Sequence, residues 1–291
     1  MEIETKICFI VNPNAGVRKN KIIINVIKKW CIQNKIVFDI YVSEYKKHAV
    51  FIAKEACSKD YTTIVAVGGD GTVNEVVCGM IDSNKTLGII PCGSGNGLAR
   101  HLGIPLDINK ALNLIQRGTA TPIDIMNIND QYSINISGIG FDALVAYKFS
   151  LMKKRGLKNY IKSTFIEFKN SKEISLEIRE NENYISINTW ILSICNSSQY
   201  GNNFYIANHA SCDDGLIDFI FIKKPTLKEL PYLLYLILTK KANQSKLVKI
   251  IRANFLEIKI KGVQKIHIDG ETSSAQNKLT CCINKQINII A

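Results

Sequence analysis

The chain has 291 residues, 46% of them hydrophobic and 21% charged, with a formal net charge of +12. That is ordinary globular composition at about twice the length of a typical domain, so two domains of roughly 150 residues are expected. Nine cysteines with no CxxC pair, and four histidines with no HExxH spacing, argue against a disulfide framework and a zinc hydrolase, and read as reduced thiols of an intracellular protein.

The N-terminus enters a strand at once, without the apolar core of a signal peptide. Residues 7–11 read as that strand, ending in Asn12-Pro13-Asn14-Ala15-Gly16, a strong turn signal. A helix follows over 21–32, a strand over 36–42, a helix over 49–57 and a buried strand over 63–67. Residues 72–80 read as a helix with Thr72 and Glu75 as its capping box, and 87–90 as a fourth strand. Two short helices come next: 96–102, stopped by Gly103 and Pro105, and 107–117, capped by Asp107 and ended at Gly118. This alternation is the pattern of a parallel α/β sheet.

After Pro122 the texture changes. Strand-like runs dominate, at 132–136, 174–178, 185–195, 216–222, 255–260, 265–268 and 279–283, with helical insertions over 142–169 and 226–238. An α/β domain over 1–125 and a mainly β domain over 126–291 are therefore expected. The longest apolar run, 230–238, contains Pro231 and is far short of the ~20 residues that cross a bilayer. Any membrane contact is then peripheral. The lysine-rich balance favours polyanionic partners such as nucleic acid, anionic lipid or phosphate-bearing substrates, or else is a solvated basic surface.

The densest chemical signal is Gly68-Gly69-Asp70-Gly71-Thr72-Val73-Asn74, which joins a buried strand to a helix. Its glycines allow backbone N–H groups to come close to a ligand, and the helix N-terminus adds partial positive charge. Asp70 would repel a phosphate unless a divalent cation lay between them, so Mg²⁺ carried by ATP is the natural partner. The alternative is a tight turn in which Asp70 bonds its own backbone. A second glycine-rich turn, Pro91-Cys92-Gly93-Ser94-Gly95-Asn96-Gly97, follows the next strand, where open α/β sheets bind ligands. Asn12 and Gly16 would form a third wall. No GxxxxGK followed by Ser or Thr occurs, which excludes a P-loop. Gly138-Ile139-Gly140-Phe141-Asp142-Ala143 fits a degenerate dinucleotide pattern but reads better as a tight strand–helix junction.

Together with Ile136 to Ala143, Asp214-Gly215-Leu216-Ile217-Asp218 and Asp269-Gly270-Glu271, these motifs make the chain resemble the diacylglycerol kinase catalytic-domain superfamily over nearly its whole length. That superfamily includes bacterial lipid kinases, sphingosine kinases and ceramide kinases. The resemblance implies a phosphofructokinase- or NAD kinase-like α/β domain followed by a β-sandwich domain. It implies ATP touched by Asn12, Ser43, Gly68, Gly69, Asp70, Gly71, Thr72, Val73, Asn74 and Ser94. Glu271 would be the catalytic base, with Asp70 and Asp124 in a water–Mg²⁺ network around the phosphates. A separate structural Mg²⁺ would be held by Asp214 and backbone oxygens of Ser211 and Leu216. The implied activity is transfer of the γ-phosphate to a hydroxyl of a diacylglycerol or sphingoid-type lipid, at the cytoplasmic face of the inner membrane.

The partners expected are thus ATP and a membrane lipid, not nucleic acid, and a homodimer is left open. Two other readings stand beside this one: an NAD kinase-like enzyme for a soluble acceptor, and a non-catalytic ATP- or membrane-binding module. Gly97 stands where diacylglycerol kinases commonly carry an acidic residue, which leaves the lipid open. The basic segment 148–172, with Lys153, Lys154 and Arg155, reads as an amphipathic helix or as an element lying on anionic lipid, and 230–238 with Lys240 and Lys241 as a second such element.

Overall fold

A computed structural model describes residues 6–16, 20–150, 164, 166–180, 183–262, 264–274 and 277–291. The chain forms two compact units. The first runs to Ile125 and takes in Tyr200–Asn202 and Lys285–Ala291, and the second holds Met126–Gln199 and Asn203–Asn284.

In the first unit β1 (Lys6–Val11), α1 (Asn20–Gln33), β2 (Val37–Val42), α2 (His48–Cys57), β3 (Thr63–Gly68), α3 (Asp70–Met80) and β4 (Thr86–Pro91) alternate. The strands are parallel in the order β2-β1-β3-β4. Near-continuous β-branched and apolar runs such as Thr-Ile-Val-Ala-Val make β3 buried on every residue, as a strand covered on both faces requires. Ile7, Phe9 and Val11 face α1, through Ile23, Ile27, Trp30 and Cys31, and α5 (Ile108–Arg117), through Ile108, Ala111, Leu112 and Ile115. Both helix sets follow the i, i+3/i+4 spacing of an amphipathic face. Asp107 caps α5 by accepting from the Lys110 N–H at 3.0 Å. The helices α2 and α3 pack on each other and against β1 and β3. The end of β16 (Lys278–Ile290) returns to this unit, where Asn288 and Ile289 lie parallel to Thr86 and Leu87.

The helix α3 starts at Asp70, with Gly69 rather than Thr72 as N-cap and no capping side chain. The capping box expected at Thr72 and Glu75 does not form. The Thr72 hydroxyl is taken by Asn12, and Glu75 accepts instead from the Lys47 N–H at the head of α2.

The second unit is a β-sandwich. One sheet runs β12 (Val248–Ala253), β11 (Ile217–Ile222), β10 (Ile191–Cys195), β7 (Ile136–Gly140), β14 (Lys265–Ile268) and β15 (Glu271–Ser274), antiparallel throughout. The other contains β13 (Phe255–Ile260) between β16 and β8 (Ile174–Glu180), then β9 (Asn183–Thr189). Here β5 (Ala120–Ile128) pairs with β6 (Gln131–Ser133). Leu176, Ile258 and Cys281 of one sheet and Leu192, Phe219 and Ile266 of the other share one core, as facing sheets do.

The run 185–195 is two strands, not one. It breaks at Trp190, where the Thr189 hydroxyl bonds the carbonyls of Ile191 and Ile222 and the Trp190 carbonyl accepts from Phe141. The strands β12 and β15 are absent from the sequence reading because Glu-Thr-Ser-Ser and Val-Lys-Ile-Ile-Arg-Ala lack a clear apolar alternation. The junction expected at Gly138 to Ala143 is the step from β7 into α6 (Phe141–Ser150). Of the helical insertion 142–169, residues 151–163 and 165, with Lys153, Lys154 and Arg155, lie outside the described residues. The helix α7 (Leu230–Leu238) is the second insertion. All nine cysteines are free thiols, and burial pushes that of Cys8 up to about 12.

The contact between α2 and α3 gives the first test. A Cβ on Gly79 would lie 2.3 Å from the Val50 carbonyl oxygen and 2.7 Å from the Ala53 methyl. Glycine to alanine inside a helix ordinarily stabilises by up to about 1 kcal/mol. Gly79→Ala should do the reverse and destabilise by about 1–3 kcal/mol through overpacking, measured by urea unfolding.

Candidate active site

Three strand-end loops of the first unit meet backbone to backbone. A Cβ on Gly93 would lie 2.5 Å from the Gly69 Cα, and one on Gly16, which has φ +70°, would lie 2.0 Å from the Cys92 carbonyl oxygen. Only glycine fits such approaches. The Cys92 N–H donates to the Gly68 carbonyl at 2.7 Å. Asn12 ties the first loop to the second: its Oδ1 accepts from the Asn14 N–H at 2.9 Å and its Nδ2 donates to the Thr72 hydroxyl at 2.8 Å. The uncapped N-terminus of α3 opens in this group of loops, the arrangement that suits a phosphate.

The second glycine loop is held in several ways. Asn96, in the left-handed region at φ 51°, accepts from the Gly93 N–H at 2.8 Å and donates to the Gly93 carbonyl at 2.9 Å. Arg100 donates to the Gly95 carbonyl at 3.1 Å, and Gly201 packs its backbone on Gly95. The loop leads into α4 (Gly97–His101).

Asp70 lies between the loops. Its carboxylate accepts from the Leu98 N–H at 3.2 Å. Burial pushes the carboxyl above its usual range, opposed by backbone N–H groups of Gly97 and Leu98. A carboxylate whose charge is penalised in this way fits a cation beside it. Asp124, on β5, is 1% exposed and accepts from the Gln286 amide at 2.8 Å. Among the described residues no three His, Cys, Asp or Glu side chains gather as a metal cage. Mg²⁺ does not need one, since it takes one or two carboxylates and keeps several waters.

The other nucleotide positions expected from the sequence divide. Ser94 is exposed on its loop, and Gly68, Gly69, Gly71 and Asn74 belong to the turn into α3 and its first turns. Thr72 and Val73 are buried, 4% and 3% exposed, and serve the framework. Ser43 is buried at the end of β2, and its N–H donates to the Val11 carbonyl at 2.9 Å.

In the second unit Glu271 opens β15 directly after a two-residue turn. Asp269 and Gly270 both have positive φ, 46° and 88°, and Ile268 pairs with Glu271: a hairpin turn with the Asp-Gly signature. Asp269, 8% exposed, accepts from the Ser133 hydroxyl at 2.7 Å, the Ile134 N–H at 2.9 Å and the Asn135 N–H at 3.1 Å. His267, 3% exposed, accepts at Nδ1 from the Gly270 N–H at 3.3 Å, so its Nε2 carries the hydrogen and donates to Asp142 at 3.1 Å. A Cβ on Gly138 would lie 2.6 Å from that Asp142 oxygen. Asp269 and Asp142 lie in motifs the sequence shows, but their part in holding this turn, and that of His267, is visible only in the structure. The available signal is Asp-Gly directly after the strand-like run 265–268.

Asp214 accepts from the Leu216 N–H at 3.0 Å and from Arg252, whose guanidinium is also 3.3 Å from Asp218. Asp218 is buried with one oxygen unpartnered, and burial pushes its carboxyl up. Ser211 donates to Asp213. This all-oxygen donor set suits Mg²⁺, with Arg252 already supplying positive charge there.

The diacylglycerol kinase catalytic domain profile matches residues 6–128, and that of the YegS C-terminal NAD kinase beta sandwich-like domain matches residues 135–291. A Bacillus subtilis diacylglycerol kinase is 33% identical over 230 residues, covering 77% of this chain and 75% of that one. The chain belongs to the diacylglycerol kinase family. A diacylglycerol kinase of Staphylococcus epidermidis is 29% identical over 237 residues, 79% of this chain and 74% of its own. A solved structure of a Bacillus anthracis diacylglycerol kinase covers 98% of the chain and 96% of its own at TM-score 0.74 and 21% identity, and a second from that organism reaches 0.78 at 24%. These two share the fold. The family assigns the chain to the kinases, within the transferases.

Two outcomes follow from the carboxylates. A raised carboxyl value means that the folded chain holds the Asp70 proton more tightly than the unfolded one, so ionisation costs stability as pH rises from the ordinary carboxylate range through the raised value. Asp70→Asn keeps an acceptor for Leu98 and should unfold at the same or higher temperature than the parent at pH 7. Its advantage should shrink on acidification, as thermal unfolding across pH will read. Asp269→Ala strands three donors and should cost about 3 kcal/mol or more in urea titrations.

Proposed function

We propose that the chain transfers the γ-phosphate of ATP to the hydroxyl of a membrane lipid of diacylglycerol or sphingoid type, at the cytoplasmic face of the membrane. The observation that carries this reading is the convergence of three glycine loops around the half-buried Asp70 carboxylate at the strand ends of a parallel sheet. The polyphosphate lies against the N–H groups at the start of α3, with Ser94 and Asn12 at its edges. Bound Mg²⁺ neutralises charge developing on the phosphates; Asp70 and Asp124 would hold it, and Asp214 with oxygens of Ser211 and Leu216 a second, structural ion in competition with Arg252.

Glu271 takes the proton from the lipid hydroxyl. An alcohol is a weak nucleophile, and a placed carboxylate both orients and deprotonates it. Asp269, His267 and Asp142 are positioning residues for Glu271, because they fix the turn that presents it. No helix among the described residues is long and apolar enough to cross a membrane, so the lipid is met at a surface.

The test offers labelled ATP and Mg²⁺ with diacylglycerol, monoacylglycerol, phosphatidylglycerol, sphingosine, ceramide and NAD in parallel. Transfer to a lipid is expected, falling about 10²- to 10⁴-fold in Glu271→Gln. Transfer to NAD alone would overturn the reading, and transfer to nothing would favour a binding module.

A further inference from the structure

The helix α7 turns Leu233, Leu236 and Ile237 inward, where each is 3% exposed or less. Its opposite face is also apolar. Tyr232 is 61% exposed, Tyr235 55%, Leu238 54% and Leu234 37%, with Leu227 just ahead of the helix at 60%. The two tyrosine rings stack on each other at 6.4 Å, so they stand as one aromatic surface. A soluble helix normally carries polar residues there.

The charges that flank this face along the chain are mostly lysines. Exposed Lys228 precedes α7, and Lys240, Lys241 and Lys246 follow it. The one acidic residue between Leu227 and Lys246 is Glu229. It is already engaged by Thr226 at 2.9 Å and Lys246 at 3.6 Å, and these contacts hold its carboxyl below the usual range. Lys240 is presented from a left-handed backbone, φ 61°, with its Nζ 4.4 Å from the centre of the Tyr205 ring.

An apolar strip with tyrosines, bordered by lysines and free of unpaired acid, has the chemistry of the boundary between acyl chains and anionic headgroups. A second copy of the chain fits poorly, since a two-fold contact would bring the same lysine clusters together. We propose that α7 is the element by which the chain docks on an anionic bilayer, with Leu234, Tyr235 and Leu238 entering the headgroup layer and Lys240 and Lys241 meeting lipid phosphates. The inference rests on the reading that the acceptor is a membrane lipid, and it assigns the approach to that lipid to one face of one helix.

The test is co-sedimentation with vesicles of phosphatidylcholine containing roughly one-third phosphatidylglycerol, beside pure phosphatidylcholine. The parent chain should pellet with the anionic vesicles and be released by salt. Lys240→Gln with Lys241→Gln should weaken binding roughly thirtyfold. The triple variant Leu234→Ser, Tyr235→Ser, Leu238→Ser should weaken it by more than about tenfold. All these positions are exposed, and unchanged thermal unfolding with undiminished transfer to a short-chain diacylglycerol presented as monomers shows that each variant is folded. Parent-like pelleting of either variant overturns the proposal. So does a parent chain that ignores vesicles, or an α7 variant whose only change is a loss of dimer in sedimentation velocity. Vesicle binding that depends on α7, without transfer to any lipid, upholds the docking helix and removes the kinase reading.

Discussion

The contact between Gly69 and Gly93 organises the first unit. Two parallel strands that pair through Gly68 and Pro91 send their loops out side by side, and a side chain on either glycine would drive them apart. Kept together, they place the N-termini of α3 and α4 next to each other. Backbone N–H groups then accumulate in one small volume, and Asp70 is drawn in as their acceptor. The Asp70 bonds to Gly97 and Leu98 are a consequence of that approach. The same crowding sets the limit on variation, because Gly16 must slide under the Cys92 carbonyl for the first loop to join the other two.

The half-buried Asp70 and the buried Asp269 show two uses of a carboxylate withdrawn from solvent. Asp269 accepts three good hydrogen bonds, from Ser133 at the end of β6 and from the two residues that follow it, and thereby fastens a tight hairpin to the strand beside it. That is a structural use. Asp70 has donors too, yet burial outweighs them, leaving its charge under-compensated. A fold that only needed to close the loops would be served as well by asparagine. A carboxylate kept against that cost points to a positively charged ligand, which here is expected with the nucleotide.

The parts of this fold that were legible in the sequence are those whose signals are local. Glycine clusters at strand ends, the 3.6-residue pattern of α5 and its Asp107 cap can all be read without knowing the partner element. Thr72 could not be placed in the same way. Its hydroxyl has two plausible uses, capping α3 or binding Asn12, and the choice depends on a residue sixty positions away. The strand β15 was invisible because Glu-Thr-Ser-Ser has no apolar alternation and becomes a strand only by pairing with Lys265 to Ile268. Trp190 interrupts a run that looks continuous, because Thr189 and Phe141 claim the neighbouring backbone groups. The role expected of Glu271 rests on family likeness, whereas the groups that hold its turn are long-range contacts that no spacing rule reaches.

Those holding groups form a connected set. The Ser137 hydroxyl accepts from the Asp269 N–H at 3.3 Å and donates to Ser133, which in turn donates to the Asp269 carboxylate. On the other side Asp142 fixes the His267 tautomer, and His267 accepts from Gly270. Each residue of the Asp269–Gly270 turn is therefore held from a different strand or helix. A turn of only two residues with both in positive φ has little freedom to begin with, and these bonds remove what is left. In the role proposed for Glu271, a general base would gain from such rigidity, because its contribution depends on placement within a fraction of an ångström. The sandwich can then be understood as a mount: β7 and α6 deliver Asp142, the end of β6 and the two residues after it deliver the donors for Asp269, and β14 delivers His267, so that the first residue of β15 is set by all three.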